Sequence, residues 1–421
     1  MTPVFAEDTL EDLERSFRPY KDGFPQIEGV KPGMVINASN VDQAKEVLDD
    51  EMYQHIKDGW VEITVGETTD FILHDGYIQA SKDNINSTSL GSKPGELIGF
   101  VAGRPFLAEP DINDPRAGEK LAWNYKYGYN WGDNAAIYPF YWRYRNMKTD
   151  KIERQIKFNF HFLNWKHRVN QSPVPEIIPN PSALFRSIYV QVLEPFDVKN
   201  TQLLIHRYED DLKRDDAWLY LGFQRRVRRL ASGQITDSFL GSDIMIEDFE
   251  GYNGRISDMK WTYKGTRYIL LPFYNHNDQE LTSEFEDEDG YQYVDFHGKG
   301  NCFPKVTYQV RKAYILESEP IDGNHPISKR VHFVDAQTFT KPRTVIYDRA
   351  GKYWKSWMIG QAHPDHHLPK NKGTGVSIDD SFGMMDVQAG HCTTGQFKGQ
   401  VDPSLNPVDK FTVQNLRSSG R

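Results

Sequence analysis

The sequence predicts a β-dominated α+β fold built on an antiparallel sheet. Apolar residues alternate with polar residues without a miss from Ile156 to Phe162, which is the period of a strand with one buried face. Further candidate strands follow one another without helices between them, which favours an antiparallel meander. Aromatic residues make up 13% of the chain, and large rings suit strands and apolar cavities better than helical bundles.

The other elements follow from the same periodicities and from turn residues. Asn40 can cap a helix whose apolar residues recur at helical spacing, and Gly59 ends it. The aromatic run that follows Gly118 has helical potential and is expected to pack over a sheet. Helices are predicted at residues 7–16, 40–56, 118–128, 181–186 and within 244–252. Strands are predicted at residues 60–65, 71–77, 156–162, 187–193, 201–208, 218–221, 225–230, 258–263, 267–271, 307–317, 328–335, 343–347 and 353–359.

The chain of 421 residues is long enough for one large β unit or for two to three ordinary domains. We expect a loop-rich N-terminal arm with a short helix and strands at residues 1–118, and a curved-sheet core at 119–360. Residues 361–421 contain Gly, Pro, Asp and Asn throughout with little periodicity, so an irregular tail packed on the core is predicted there.

Charge and hydropathy exclude two classes of protein. The net charge of −9 argues against nucleic acid as the main partner, because phosphate binding needs a basic surface. The sequence has no run of 18 apolar residues, so an integral membrane protein with spanning helices is not expected. The first residues lack the basic and apolar regions of a signal peptide, although residues 4–6 resemble the last residues before a cleavage site, so the residues alone leave the compartment open.

The two cysteines, Cys302 and Cys392, leave two alternatives open. In an exported protein, a disulfide closing this loop of about ninety residues would contribute about 4 kcal/mol through chain entropy. Two buried free thiols are the other possibility. Neither cysteine lies in a CxxC motif, so catalysis is not indicated.

A set of aromatic and aliphatic positions predicts either a packed core or a core that also encloses a ligand cavity. A strongly curved sheet with rings on its concave face leaves a cavity unless helices fill it, and such a cavity binds apolar molecules by burial. Arg226 and Arg228 would contact a ligand head group or a partner, although ion pairs of this arginine cluster with Asp243, Glu247 and Asp248 are an alternative. The predicted lining residues are Phe158, Phe160, Phe162, Val190, Trp218, Tyr220, Trp261 and Tyr263.

The histidine cluster at residues 363–367, with His391 downstream, is the feature most typical of an enzyme. Imidazoles and a carboxylate can hold zinc, but Pro364 and the lack of helical spacing favour incidental surface histidines. The acidic positions Asp379, Asp380 and Asp386 lack the pattern of a calcium loop and are interpreted as solvated charge. No metal, cofactor or catalytic residue is therefore predicted.

Several ordered motifs resemble a known family. They are WLYLGFQRRVRR at 218–229, EDFEGYNGRISDMKW at 247–261, KGTRYILLPFYN at 264–275, VRKAYILESEP at 310–320, KRVHFVDAQTF at 329–339 and YDRAGKYWK at 347–355. These segments resemble the uncharacterised proteobacterial family of outer-membrane lipoprotein-sorting-like proteins, a domain-of-unknown-function group related to the LolA and LppX lipoprotein carriers. The resemblance extends from about residue 183 to 359 and is loose before Trp123.

The resemblance implies a strongly bent antiparallel half-barrel whose concave side is covered by helices, and a periplasmic location. It also implies a role beside an RND-type (MMPL-like) exporter and an outer-membrane protein, and it supplies no catalytic residues. We therefore expect a periplasmic carrier that sequesters a lipid-like or other hydrophobic molecule. An assembly factor that carries nothing is the alternative, and a metal-dependent hydrolase using the 363–367 histidines is a remote one.

Overall fold

The computed structural model describes residues 7–231 and 235–420, so the predicted leader end at residues 4–6 lies outside it. The α-helices are α1 Leu10–Phe17, α2 Asp50–Lys57, α3 Asp75–Asp83, α4 Ala117–Lys126 and α5 Val413–Ser419. The strands of the first half are β1 Val35–Ile36, β2 Ile63–Val65, β3 Ser89–Leu90, β4 Leu97–Ile98, β5 Asn134–Asn146, β6 Ile152–Asn164, β7 Leu184–Glu194, β8 Gln202–Tyr208, β9 Asp216–Leu221 and β10 Arg226–Arg229. Those of the second half are β11 Met259–Leu271, β12 Phe273–Tyr274, β13 Leu281–Glu286, β14 Gln292–Val294, β15 Phe296–His297, β16 Phe303–Pro304, β17 Thr307–Pro320, β18 Ile327–Asp335, β19 Arg343–Asp348, β20 Tyr353–Ala362, β21 Ile378–Asp386 and β22 His391–Gln400.

Among the described residues, one sheet of sixteen strands dominates the molecule. Its strand order is β1-β2-β17-β18-β19-β20-β21-β22-β5-β6-β7-β8-β9-β10, with β11 beside β17 and β12 beside β20. Two short pairs, β2 with β17 and β12 with β20, are parallel, so the sheet is mixed rather than purely antiparallel. In the part of the chain that the structure describes, β1 and β10 end the sheet without pairing with each other.

The C-terminal segment is not an irregular tail, and that expectation was wrong. Strands β21 and β22 lie in the middle of the sheet and join β20 to β5. Their small residues, which suggest loops in the sequence, are required by close packing. A Cβ atom at Gly395 would lie 2.0 Å from the ring of Phe382, and one at Gly383 would lie 2.2 Å from the carbonyl oxygen of Cys302.

Other local predictions also need correction. The strand expected at 71–77 is absent from this described segment, where α3 begins at Asp75 and the His74 side chain accepts from the amide of Gly76. The helix expected at 181–186 is replaced by the start of β7. The helix expected at 40–56 is broken at Leu48, which is extended, and Asp49 caps the separate helix α2.

Candidate functional site

Four of the predicted cavity residues meet in one buried apolar cluster. Phe158, Phe160 and Phe162 alternate along β6 and pack with Val190 of β7, as the period-two pattern of the sequence indicates. Cross-strand pairing brings Phe160 directly opposite Val190. This apolar face of β5–β8 is the place where the sequence predicts a ligand.

The protein's own chain covers that face. Residues 239–249, called the plug below, insert Phe239, Ile244, Met245, Ile246 and Phe249 into the same cluster. The ring of Phe249 lies 5.5 Å from that of Phe160, and the ring of Phe239 lies 5.9 Å from that of Trp142. The plug contains 3-10 turns rather than an α-helix, so the expected helical cover is not what packs here.

Buried ion pairs hold one end of the plug. Arg330, which is 0% exposed, binds the carboxylates of Glu247 and Asp248, the latter at 2.8 Å. His325 adds a contact of 2.9 Å to Glu247. Burial opposes ionisation of Glu247, but Arg330 and His325 outweigh it and lower its pKa to about 2. The expected pairing of these acids with the arginines at 225–229 is therefore wrong.

The middle of the plug is fixed to β22 and β20 through Asp243. His391 Nδ1 lies 2.8 Å from Asp243 Oδ2, and His391 Nε2 lies 3.1 Å from Glu153 Oε2. The Lys355 ammonium donates to the Asp243 carbonyl oxygen at 2.6 Å. The hydrogen bond to Asp243 raises the pKa of His391 above its ordinary value although partial burial opposes this.

This geometry predicts a pH-dependent contribution of His391 to stability. Because its pKa is higher in the folded than in the unfolded chain, the stabilisation is complete below about pH 6.5 and is lost as the pH rises through the raised value. The loss of unfolding free energy caused by His391→Gln should therefore be larger at about pH 6 than at about pH 9. Urea unfolding of both proteins at each pH measures this loss, and equal losses would contradict the assignment.

The other four predicted lining residues lie elsewhere. Trp218 and Tyr220 share one face of β9, as predicted. That face points away from the cluster that contains Leu203 and Phe160, and α5 covers it. The Tyr220 hydroxyl donates to the carbonyl oxygen of Gly420. The eight positions thus divide among three packed clusters rather than one cavity.

Trp261 and Tyr263 belong to the third cluster, beneath α4. The indole of Trp261 donates to the Ile256 carbonyl oxygen and is buried against α4. Gly118 permits this contact, since a Cβ atom there would lie 2.6 Å from the Trp261 backbone. Tyr263 is half-buried beside Tyr314.

Arg226 and Arg228 are exposed on β10 at the end of the sheet. Arg228 donates to Gln224 at 2.8 Å, and the neighbouring Arg229 pairs with Asp216. A head-group or partner contact at Arg226 and Arg228 stays a prediction.

A cleft of about 700 Å³ opens between the β3–β4 hairpin, α4 and the ends of β7 and β8. Its buried floor consists of the aromatic residues Trp123, Tyr127 and Tyr208. Ile98 and Ser182 lie on its exposed rim. Among the described residues that line it, none is a position predicted from the sequence to bind a ligand. The aromatic run that begins at Trp123 is the sequence signal of this cleft, although such a run by itself predicts only packing over a sheet.

Phe100 stands beside this floor, and together with Tyr127 and Trp123 it forms what we call the aromatic wall of the cleft. The rings of Phe100 and Tyr127 stack at 4.4 Å, and Trp123 stacks on Tyr127 at 5.6 Å. Volumes between about 300 and 1,000 Å³ with apolar walls are typical of small-molecule sites. The wall offers flat apolar area to a ligand, while the exposed rim leaves an entrance from solvent.

His367, from the predicted histidine cluster, is buried rather than on the surface. It meets His276 and Asp380, and the potential ligand atoms of the three residues lie within 4.8 Å of one another. His276 Nδ1 is 2.8 Å from Asp380 Oδ2, and His367 Nε2 is 3.1 Å from Asp380 Oδ1. Two histidines and one carboxylate are a common set of metal ligands. Their hydrogen bonds in this structure indicate which ring nitrogens carry protons.

The hydrogen bonds of His367 define which of its ring nitrogens carries the proton in this structure. Asn371 Nδ2 donates to His367 Nδ1, and the Asn371 oxygen accepts from the Val401 amide, which fixes the amide orientation. His367 Nε2 therefore carries the proton and donates it to Asp380 Oδ1 at 3.1 Å. His276 donates from both nitrogens, since Nε2 faces the Gln292 carbonyl oxygen at 3.1 Å.

Burial disfavours the imidazolium of His276, but Asp380 outweighs this and raises the pKa of His276. In the same pair, burial opposes ionisation of Asp380, yet His276 and His367 hold its pKa well below the ordinary value. The cluster is a satisfied ion pair with a neutral histidine beside it. His363 bonds instead to the Asp70 carbonyl oxygen, and His391 lies at the plug.

Cys302 and Cys392 are joined in a disulfide between the segment before β16 and the start of β22. Both cysteines are fully buried. Among the described helices, none is both long and apolar enough to cross a membrane.

Comparison with solved structures gives distant likenesses. A DUF1329 family protein from Desulfovibrio piger is 17% identical, with 72% of this chain and 100% of that chain covered and a TM-score of 0.48. A putative outer membrane lipoprotein-sorting protein domain from Vibrio parahaemolyticus has the same identity, coverage and TM-score. A LolA superfamily protein from Nitrosomonas europaea is 13% identical, with 67% and 91% covered and a TM-score of 0.39.

No curated protein matches the sequence. The family model described as "Protein of unknown function (DUF1329)" matches residues 35–417, which include the plug, the cleft and every described strand of the sheet. The chain therefore belongs to the DUF1329 family.

Proposed function

We propose that this protein is a periplasmic carrier for a hydrophobic molecule, and that the cleft holds the apolar part of its cargo. The observation that carries the proposal is the cleft of about 700 Å³ with its buried aromatic floor. Apolar area removed from water there contributes about 25 cal/mol per Å² to binding. The sorting role named for the Vibrio parahaemolyticus protein belongs to the same class of activity.

The disulfide supports the periplasmic part of the proposal. Disulfides persist in oxidising compartments and are rare in the reducing cytosol. The bond between Cys302 and Cys392 is buried in the core of the sheet, where a structural role is expected. A carrier exported through the inner membrane folds in such a compartment.

The apolar face under the plug completes the proposed carrier. The plug packs Phe239 and Phe249 against this face of the sheet, and we propose that they occupy the space that a bound apolar chain would take. An RND-type exporter and an outer-membrane protein are the partners that we propose for loading and delivery.

Blocking the cleft tests the carrier function. Ser182 lies on the exposed rim, so Ser182→Trp should fill the entrance and weaken binding of the apolar fluorescent probe N-phenyl-1-naphthylamine at least about tenfold, the equivalent of about 1.4 kcal/mol. The matched control Ser418→Trp, on the exposed side of α5, should bind like the wild type. Fluorescence titration measures both. Absence of uptake by the wild type, or unchanged binding by Ser182→Trp, would contradict the proposal.

A second candidate is an assembly factor that docks without carrying cargo. It is favoured by β10, which ends the sheet and presents Arg226 and Arg228 to solvent. An edge strand can pair with a strand of a partner. If docking alone matters, the double variant Arg226→Glu/Arg228→Glu loses capture of the exporter, whereas Ser182→Trp has no effect in cells.

A further inference from the structure

The cleft contains a buried histidine that lacks one hydrogen bond. His167 Nδ1 lies 2.6 Å from the Val101 carbonyl oxygen and must be the donor, because a carbonyl only accepts. In the neutral ring, Nε2 is then an acceptor. It is buried without a partner among the described residues, and the side chain is only 6% exposed.

A second acceptor faces this nitrogen. Glu209 Oε1 lies 3.8 Å from His167 Nε2, while the other carboxylate oxygen of Glu209 binds Lys166. Burial lowers the pKa of His167 to about 4, so the ring is neutral at neutral pH. A donor placed between the two acceptors would satisfy both, and leaving a buried polar group without a partner is costly.

The cleft keeps a small excess of negative charge after its ion pairs are counted, which favours a positively charged donor. The lining carries the four carboxylates of Glu96, Glu209, Asp210 and Asp211 and one ammonium, that of Lys213. The Asp211 carboxylate is neutralised by Lys126 at 2.7 Å, and Glu209 is bound on one side by Lys166. Lys213 is held above the ring of Tyr208, 3.4 Å from its centroid.

The aromatic wall lies next to the two acceptors. The ring of His167 is 4.7 Å from the ring of Phe100 and 4.7 Å from that of Tyr127. A ligand group that bridges His167 and Glu209 would therefore place its apolar part against these rings. Cations are also stabilised by aromatic faces.

We propose that the cleft binds an amphiphile with an ammonium group, whose N–H donates between His167 and Glu209 while its apolar chain lies on Phe100, Trp123 and Tyr127. This inference rests on the proposed carrier function and names the chemical class of the cargo.

A series of decyl compounds tests it, with N-phenyl-1-naphthylamine as the displaced probe at about 0.15 M salt. Decylammonium should displace the probe at least about tenfold more effectively than decanoate, because it makes charge-assisted hydrogen bonds to both acceptors. Decyltrimethylammonium keeps the charge but has no N–H, and 1-decanol has a neutral donor. Both should displace the probe less effectively than decylammonium and more effectively than decanoate.

Variants separate the site from the overall charge of the protein. Glu209→Gln and His167→Phe should each remove the preference for decylammonium over decyltrimethylammonium. Glu319→Gln changes the net charge like Glu209→Gln but lies on β17 beside Lys260, and it should keep the preference. The backbone of His167 has a positive φ of 60°, which phenylalanine adopts at a cost. If His167→Phe does not fold for this reason, Glu209→Gln provides the decisive result.

The outcomes distinguish the two proposals. Equal displacement by all four compounds, tighter binding of decanoate, or an unchanged preference in Glu209→Gln overturns the ammonium inference but leaves the carrier in place. No binding of the probe or of any decyl compound overturns the carrier proposal itself.

Discussion

Replacement of Arg330 by methionine is expected to lower the free energy of unfolding by about 3 to 5 kcal/mol, the cost typical of breaking a buried ion pair on one side. Arg330 is 0% exposed and faces Glu247 and Asp248 at the base of the plug. Methionine fills similar space but leaves Asp248 buried without a counter-charge and Glu247 with only His325 beside it. Urea unfolding followed by tryptophan fluorescence measures the change.

Two further variants of this protein identify the cause of that loss of stability. Arg228→Met removes an exposed arginine and should change stability by no more than about 0.5 kcal/mol. The triple variant Arg330→Met/Glu247→Gln/Asp248→Asn should be more stable than Arg330→Met alone, since it removes the uncompensated charges. If Arg330→Met unfolds within about 1 kcal/mol of the wild type, the plug is not held by this ion pair.

Removal of the disulfide is expected to cause the second large loss of unfolding free energy. The double variant Cys302→Ala/Cys392→Ala should lose about 4 to 5 kcal/mol, because the bond closes a loop with a sequence separation of 90 and restricts the unfolded chain. Alanine avoids leaving a polar group in a site where both cysteines are 0% exposed. Urea unfolding with and without a thiol reductant measures the loss.

The reductant provides the internal control for this prediction. It should lower the stability of the wild type to near that of the double variant, and it should leave the double variant unchanged. A double variant that unfolds at the same urea concentration as the wild type would show that the bond does not contribute to stability.

The sequence predicts strands correctly where burial makes apolar and polar residues alternate regularly. The alternation of Phe158, Phe160 and Phe162 predicted β6 and its buried face, and both are present. Strand β22 was missed because Gly395 and Gly399 break the pattern, although both are needed for close contacts. A strand in the middle of a sheet can thus resemble a loop when neighbouring side chains occupy the space above it.

The cleft and the plug depend on contacts between distant residues. His167 and Glu209 are far apart in sequence, and neither belongs to a motif that indicates binding. The plug residues Phe239, Ile244 and Phe249 follow neither a helical nor a strand period, so their burial could not be read from spacing. Pairing of Cys302 with Cys392 depended on the position of β22, which the pattern did not reveal.

Native mass spectrometry of the protein, purified from the periplasm without detergent, tests the carrier account most directly. If the protein is a carrier, the wild type retains one apolar molecule per chain, which an organic extract then releases, and Ser182→Trp from the same preparation carries none. A wild-type spectrum with the mass of the polypeptide alone, unchanged after incubation with decylammonium and with total membrane lipid, would contradict it.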